Sequence, residues 1–125
     1  MKKLLFVVAI VGCGGGGSGV DGGKKVATLS ASEQMTECTY EVAQFPKRTI
    51  TCPGTTGTIT VGGGDVATCV TNLQSESTMH PSCAATVSQF EACEEDIFAE
   101  PDSFFCSSTS APPPSCAPLM GTDCN

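Results

Sequence analysis

Tryptophan is absent from the 125 residues, and histidine and tyrosine occur once each. A catalytic reading needs a nucleophile, a base and an orienting group. His80 stands alone beside Pro81, outside any periodic segment, and neither Gly-x-Ser-x-Gly nor His-Glu-x-x-His occurs. The expectation is a non-enzyme with no catalytic residues, and a solvent-exposed loop position for His80. Basic residues are also scarce, six against thirteen acids for a formal charge of −7. That balance excludes a nucleic-acid partner and a polybasic membrane-surface site, both of which need excess Lys and Arg.

No two cysteines are separated by two to four residues, so the spacing of paired zinc ligands is missing. Glu91, Glu94, Glu95, Asp96, Glu100 and Asp102 crowd into twelve residues, a composition that hard cations favour. Helical spacing scatters them and no Asp-x-Asp-x-Asp-Gly loop is present, so they read as a solvated acidic face. No metal and no cofactor is expected. A run of about 20 apolar residues, which a membrane-crossing helix needs, is missing too. The longest at the start of the chain, Leu4 to Val11, is far too short.

Cysteine, glycine and proline are abundant, at nine, fourteen and eight. Cysteine at about 7% approaches the density of small secreted disulfide scaffolds and would be a hazard in a reducing cytosol. The chain is therefore read as exported. Lys2 and Lys3 followed by the Leu4–Val11 run have the form of a signal peptide. Ile10, Val11, Gly12 and Cys13 then resemble the lipobox of bacterial lipoproteins, with cleavage between Gly12 and Cys13 and lipidation of the Cys13 thiol. More than one acyl chain on Cys13 would satisfy the need for two hydrophobic signals in a stable anchor. Setting Cys13 aside leaves eight cysteines, Cys38, Cys52, Cys69, Cys83, Cys93, Cys106, Cys116 and Cys124, an even number suited to four disulfides. Their pairing has 105 possibilities.

The expected organisation is a signal peptide over 1–12, a lipidated Cys and Gly-rich tether over 13–25, and a disulfide-rich globular domain over 26–125. The tether would span roughly 20 Å as a flexible chain. Loss of residues 1–12 leaves four bases against thirteen acids, net −9. The expected fold is small, disulfide-rich and mainly α, with about three short helices, one β-hairpin and an irregular Cys-tied C-terminal tail.

The first helix, from about Ser32 to Phe45, starts with Ser30 and Glu33 at capping-box spacing, and Ala31, Met35, Cys38, Val42 and Phe45 fall on one arc. The second, from about Val66 to Ser75, takes Asp65 as its cap and places Val66, Cys69, Val70 and Leu73 on one face. The third runs from about Cys83 to Ala99; Glu94 falls by angle inside its apolar arc, so either the helix bends near Cys93 or Glu94 sits at the margin of the buried seam. Between the first two, Thr49–Cys52 and Thr58–Val61 alternate around Pro53–Gly57, predicting a hairpin with Ile50, Cys52, Ile59 and Val61 facing inward. From Asp102 onward no period is visible, and an irregular segment pinned through Cys106, Cys116 and Cys124 is expected. Phe104 and Phe105, if extended, point to opposite sides.

The lipobox, the Gly/Ser tether, Cys52-Pro53-Gly54, the run from Cys83 through Ala84, Ala85, Thr86, Val87, Ser88, Gln89, Phe90, Glu91 and Ala92 to Cys93, and Cys116-Ala117-Pro118-Leu119 together resemble a group of small cysteine-rich predicted lipoproteins that myxobacteria carry in many divergent copies. The resemblance implies an envelope location and a disulfide-rich helical fold, and no activity.

The functional expectation is a membrane-anchored cell-envelope lipoprotein, held by acyl chains on Cys13, acting as a non-enzymatic binding or structural module with a possible protein partner. The alternative is a small enzyme-inhibitor module or minor hydrolase, with loops at 53–57 and 76–82 as candidates. The absence of an aspartate after Cys13 favours the outer membrane over the inner, with the domain periplasmic or surface-exposed.

Overall fold

The computed structural model describes residues 17 to 125. The signal peptide, Gly12, Cys13 and the first part of the tether lie outside the described residues.

Three helices and a hairpin carry the fold. Helix α1 spans Ala31–Gln44, strands β1 and β2 span Arg48–Thr51 and Thr58–Val61, and helices α2, α3 and α4 span Val66–Met79, Val87–Ala99 and Asp102–Phe105. Single 3-10 turns occupy Val26–Thr28 and Pro114–Leu119. The chain is thus a small, mainly helical, disulfide-rich protein, as its composition predicts.

Helices α1, α2 and α3 each begin where a side chain satisfies backbone N–H groups that have no partner within the helix. The Ser30 hydroxyl accepts from the Glu33 N–H and the Glu33 carboxylate accepts from the Ser30 N–H, closing a capping box on α1. Asp65 caps α2 through the Thr68 N–H at 2.9 Å, and α2 runs one turn beyond Ser75 to Met79. Helix α3 begins at Val87 instead of Cys83, because Thr86 and Gln89 form a second capping box. Cys83 therefore sits in the loop ahead of it.

The next two free N–H groups of α3 find partners in the N-terminal segment. Val87 donates to the Lys24 carbonyl at 2.9 Å and Ser88 to the Gly22 carbonyl at 3.0 Å, while Val26 donates to Ala85 at 3.0 Å. Val20, Leu29 and Val87 are buried together with Val26 against them. Residues 17 to 25, expected as part of a flexible tether, therefore lie packed along α3. Their backbone completes its N-terminus and Val20 contributes to the apolar core.

The hairpin pairs Ile50 with Ile59 in antiparallel register. Ile50 is fully buried, but Ile59 on the outer strand is 38% exposed. Only β1 is drawn inward, by the Cys52–Cys106 bond at its end. The tail is more regular than expected: α4 and the Pro114–Leu119 turn both precede or contain its cysteines. In α4, Phe104 and Phe105 do not diverge but stack edge to face, with centroids 5.1 Å apart.

Four disulfides join these pieces: Cys38–Cys69 links α1 to α2, Cys52–Cys106 links the hairpin to the end of α4, Cys83–Cys124 ties the loop before α3 to the C-terminus, and Cys93–Cys116 ties α3 to the last 3-10 turn. All eight expected half-cystines are used. Bonds of this number place the folded chain in an oxidising, extracytoplasmic compartment. Among the described residues no helix is long and apolar enough to cross a membrane.

Candidate functional site

The inward face of α1 differs from its apolar arc. Met35 is 51% exposed, whereas Gln34, Glu37 and Cys38 are buried. Across from them α3 turns Glu91 inward, at 7% exposure, with Glu94 partly covered. The acidic face expected to be solvated is thus divided: Glu95 and Asp96 face water, while Glu91 and Glu94 meet Glu37 and Glu41 in a carboxyl-lined seam between α1 and α3.

At one end of this seam the Glu91 carboxyl accepts from the Gly17 N–H at 2.6 Å and the Ser18 N–H at 3.0 Å. The Ser18 hydroxyl donates to Glu37 Oε2 at 2.5 Å, and Glu37 Oε1 has no hydrogen-bond partner. Glu37 is only 1% exposed. Burial, reinforced by the neighbouring Glu91 and Glu41, pushes its carboxyl up to about 7 despite the Ser18 hydroxyl. The phenol of Tyr40 donates to Glu95 Oε1 at 3.1 Å and closes the seam's outer edge.

At the other end Glu41 and Glu94 share a hydrogen bond. Burial first, and the charge of Glu41 second, push Glu94 up to about 9, so Glu94 keeps its proton at neutral pH. Burial also raises Glu41. Glu41 Oε2 lies 3.1 Å from Cys69 Sγ, a disulfide sulfur that has no proton to give.

This pair lies at the side of a cleft of about 330 Å³. Val42 and Phe45 of α1, Leu73 of α2 and Phe90 of α3 form its apolar walls, and Gly62–Gly64 lead across its mouth to Asp65. A smaller hollow of about 200 Å³ shares Glu41, Phe45, Gly62 and Glu94 and extends toward Phe98 and Phe105. The glycine wall is obligatory. Gly62 has φ +68°, and a Cβ there would sit 2.5 Å from the Phe45 carbonyl and 2.7 Å from that of Pro46. Gly63 donates its N–H to the Phe45 carbonyl at 2.8 Å, holding the turn on the end of α1.

Arg48, which the sequence reading left unassigned, fixes the hairpin to the end of α3. Its guanidinium donates to the carbonyls of Phe98 and Glu100, both at 3.0 Å, and lies about 5 Å from the ring centroids of Phe98 (5.2 Å) and Phe105 (5.0 Å). A cation here completes helix carbonyls and complements the negative end of the dipole.

His80 is not a free loop residue. It ends α2, with its imidazole 25% exposed and 3.9 Å from Glu76, and lines a hollow of about 110 Å³ together with Ser77. The Ser77 hydroxyl donates to the Leu73 carbonyl at 2.7 Å, so its proton points to backbone and not to imidazole.

Among the described residues, one group of potential metal ligands converges: Cys38, Glu41 and Cys69. Two of its three members are bonded to each other, which removes the thiolates a soft metal would need. No protein-family model, no curated protein and no solved structure matches the chain. What defines the molecule is its own geometry: a small helical frame, cross-linked four times, with an apolar cleft that has the carboxyls of Glu41 and Glu94 at its side.

Proposed function

We propose that this protein is a cell-envelope lipoprotein, anchored through acyl chains on Cys13, whose cross-linked domain is a non-enzymatic binding module. The observation that carries the anchor is the pairing of the cysteines. The eight described cysteines are consumed among themselves, which supports a separate role, as a thioether, for the cysteine at the lipobox position. With Gly17 and Ser18 clamped by Glu91, only three residues separate the anchor from the domain, so the domain rides within about 15 Å of the bilayer. The residue after Cys13 is glycine and not the aspartate of inner-membrane retention, which favours an outer-membrane position over an inner one. The cleft beside Glu41 and Glu94 supports the binding role, since its size and apolar walls suit a small ligand.

An enzyme-inhibitor role draws on one observation of its own. The Pro53–Gly57 turn is exposed throughout and clamped at its base by Cys52–Cys106, as an inserted loop would need to be.

Replacing Cys13 with Ser tests the anchor. The expected result is release from the membrane fraction and loss of acyl mass from the mature chain. Retention of the variant in membranes, with a wild-type protein that carries no lipid, would contradict it.

A further inference from the structure

We infer that the cleft between α1, α2, α3 and the Gly62–Gly64 turn binds a small organic monocation, an ammonium group on a short apolar body, with Glu41 and Glu94 as its counter-charge. The inference rests on reading the protein as a binding module, though not on its lipid anchor.

Shape and charge together select this occupant. A volume of about 330 Å³ lies at the lower end of ligand pockets, and Val42, Phe45, Leu73 and Phe90 offer a hydrocarbon body a surface away from water. Every ionisable group on the wall is an acid: Glu41 and Glu94 at the side, Asp65 and Glu76 on the α2 wall. Asp65 is committed to the Thr68 N–H and hydroxyl, and Glu76 faces His80, so the free counter-charge is the pair. Glu37 and Glu91 stand behind it in the seam, and no base among the described residues lines the cleft. Arg48 is turned away onto the carbonyls of Phe98 and Glu100. An anion would meet only like charge. A bare hard cation would find too few converging oxygens, since among the described residues no three acids of the seam converge within ligating distance.

An ammonium brings three donors, and two ionised carboxylates accept them better than one carboxylate and one carboxylic acid. Binding therefore expels the proton that Glu94 otherwise keeps: ammonium plus the site with Glu94 protonated gives the complex plus one proton released to solvent. Because Glu94 sits at about 9, affinity rises with pH throughout the neutral range, by about ten-fold per unit between pH 6 and 8.

The test uses the oxidised full-length protein in non-ionic detergent, with n-butylammonium as probe and n-butanol as its uncharged counterpart. Amide chemical shifts of Gly62, Gly63 and Gly64 report occupancy. Calorimetry at pH 7.5 in two buffers of different ionisation enthalpy counts protons. The expected result is saturable shifts at those glycines, at least ten-fold preference for the ammonium, and close to one proton released per probe. Glu94→Gln should weaken the probe at least ten-fold at pH 8 and abolish the proton release, with Glu95→Gln, outside the cleft, close to wild type. Glu41→Gln supplies a second variant should Glu94→Gln not form its four disulfides. Equal affinity for butanol, no proton release, or no shifts at millimolar probe would each overturn the inference. The anchor proposal would stand untouched, because its test reads Cys13 alone.

Discussion

A glutamate whose carboxyl is pushed up to about 9 by burial and by a neighbouring carboxyl keeps its proton in neutral water, and Glu94 is in that position. Glu37, at about 7, is half-way there. Both are raised above the usual 4.5, so between that value and their folded values the native state holds more protons than the unfolded chain. Stability consequently falls as pH rises from about 4.5 through 7 and 9. Glu33 acts in the opposite sense: Lys24, 2.7 Å away, holds its carboxyl down to about 2, so its contribution is present above 4.5 and lost as the medium becomes strongly acidic. Glutamine mimics the protonated acid. The melting temperature of Glu94→Gln should therefore exceed that of wild type by several degrees at pH 8.5, on the scale of roughly 4–8 °C per kcal/mol for a domain this size, with the gap closing toward pH 4.5. A constant gap across that range, measured by circular dichroism melts, would show that Glu94 is ionised in the fold. Little of this was legible in the sequence. Hydrophobic periodicity scores glutamate as surface, so Gln34, Glu37 and Glu91 do not show in it as an inward stripe; Glu94 alone is flagged, by its angle within the apolar arc of α3, and Met35 falls on an arc that the fold leaves exposed.

At the level of elements, capping chemistry carried the reading. Ser30 with Glu33 and Asp65 with Thr68 mark the starts of α1 and α2 because short polar side chains satisfy N–H groups the helix leaves bare. Thr86 and Gln89 carry the same signal for α3, and the Ala84–Ala85 run ahead of them, together with Cys83, obscured it by fitting a helical arc. The hairpin was readable from alternation, but the exposure of Ile59 was not, since it depends on which strand the disulfide pulls inward. Arg48 left no pattern at all, because its partners are carbonyls fifty residues away. The Gly62–Gly63 corner, where the chain leaves the hairpin against the end of α1, is the most constrained junction. Gly62→Ala should cost about 2 kcal/mol or more, through both its positive φ and the collision with the Phe45 and Pro46 carbonyls. Gly64→Ala, two residues on, has ordinary φ and open space and should stay within about 0.5 kcal/mol. Urea titrations of the two variants separate these outcomes, and equal midpoints would show that the corner is relaxed.

The molecule as a whole is too small to rest on its apolar core. Few large side chains are fully buried, and Val20, Leu29 and Val87 form a cluster no bigger than a single layer. Cross-links supply the remainder. Cys52–Cys106, 54 residues apart, spans one member of each of the other three bridges, and in the chain-entropy account it contributes about 4 kcal/mol. The number of bridges was readable from the count of cysteines, as was the oxidising compartment. Their pairing was not, because it follows from the seating of α1 on α2 and of α3 on the C-terminal turn, contacts that only the assembled fold defines. The N-terminal segment taught the same lesson: glycines that look like free tether become wall once the bare N–H groups of α3 need acceptors.

Because that frame is what shapes the cleft and holds the N-terminal segment in place, the pattern of bonds is the most direct thing to measure. Non-reducing proteolysis at acid pH, followed by tandem mass spectrometry of the linked peptides, should find Cys38 with Cys69, Cys52 with Cys106, Cys83 with Cys124 and Cys93 with Cys116, and no alkylatable thiol among the eight. Any other pairing, or free thiols in protein isolated from living cells, would contradict the account.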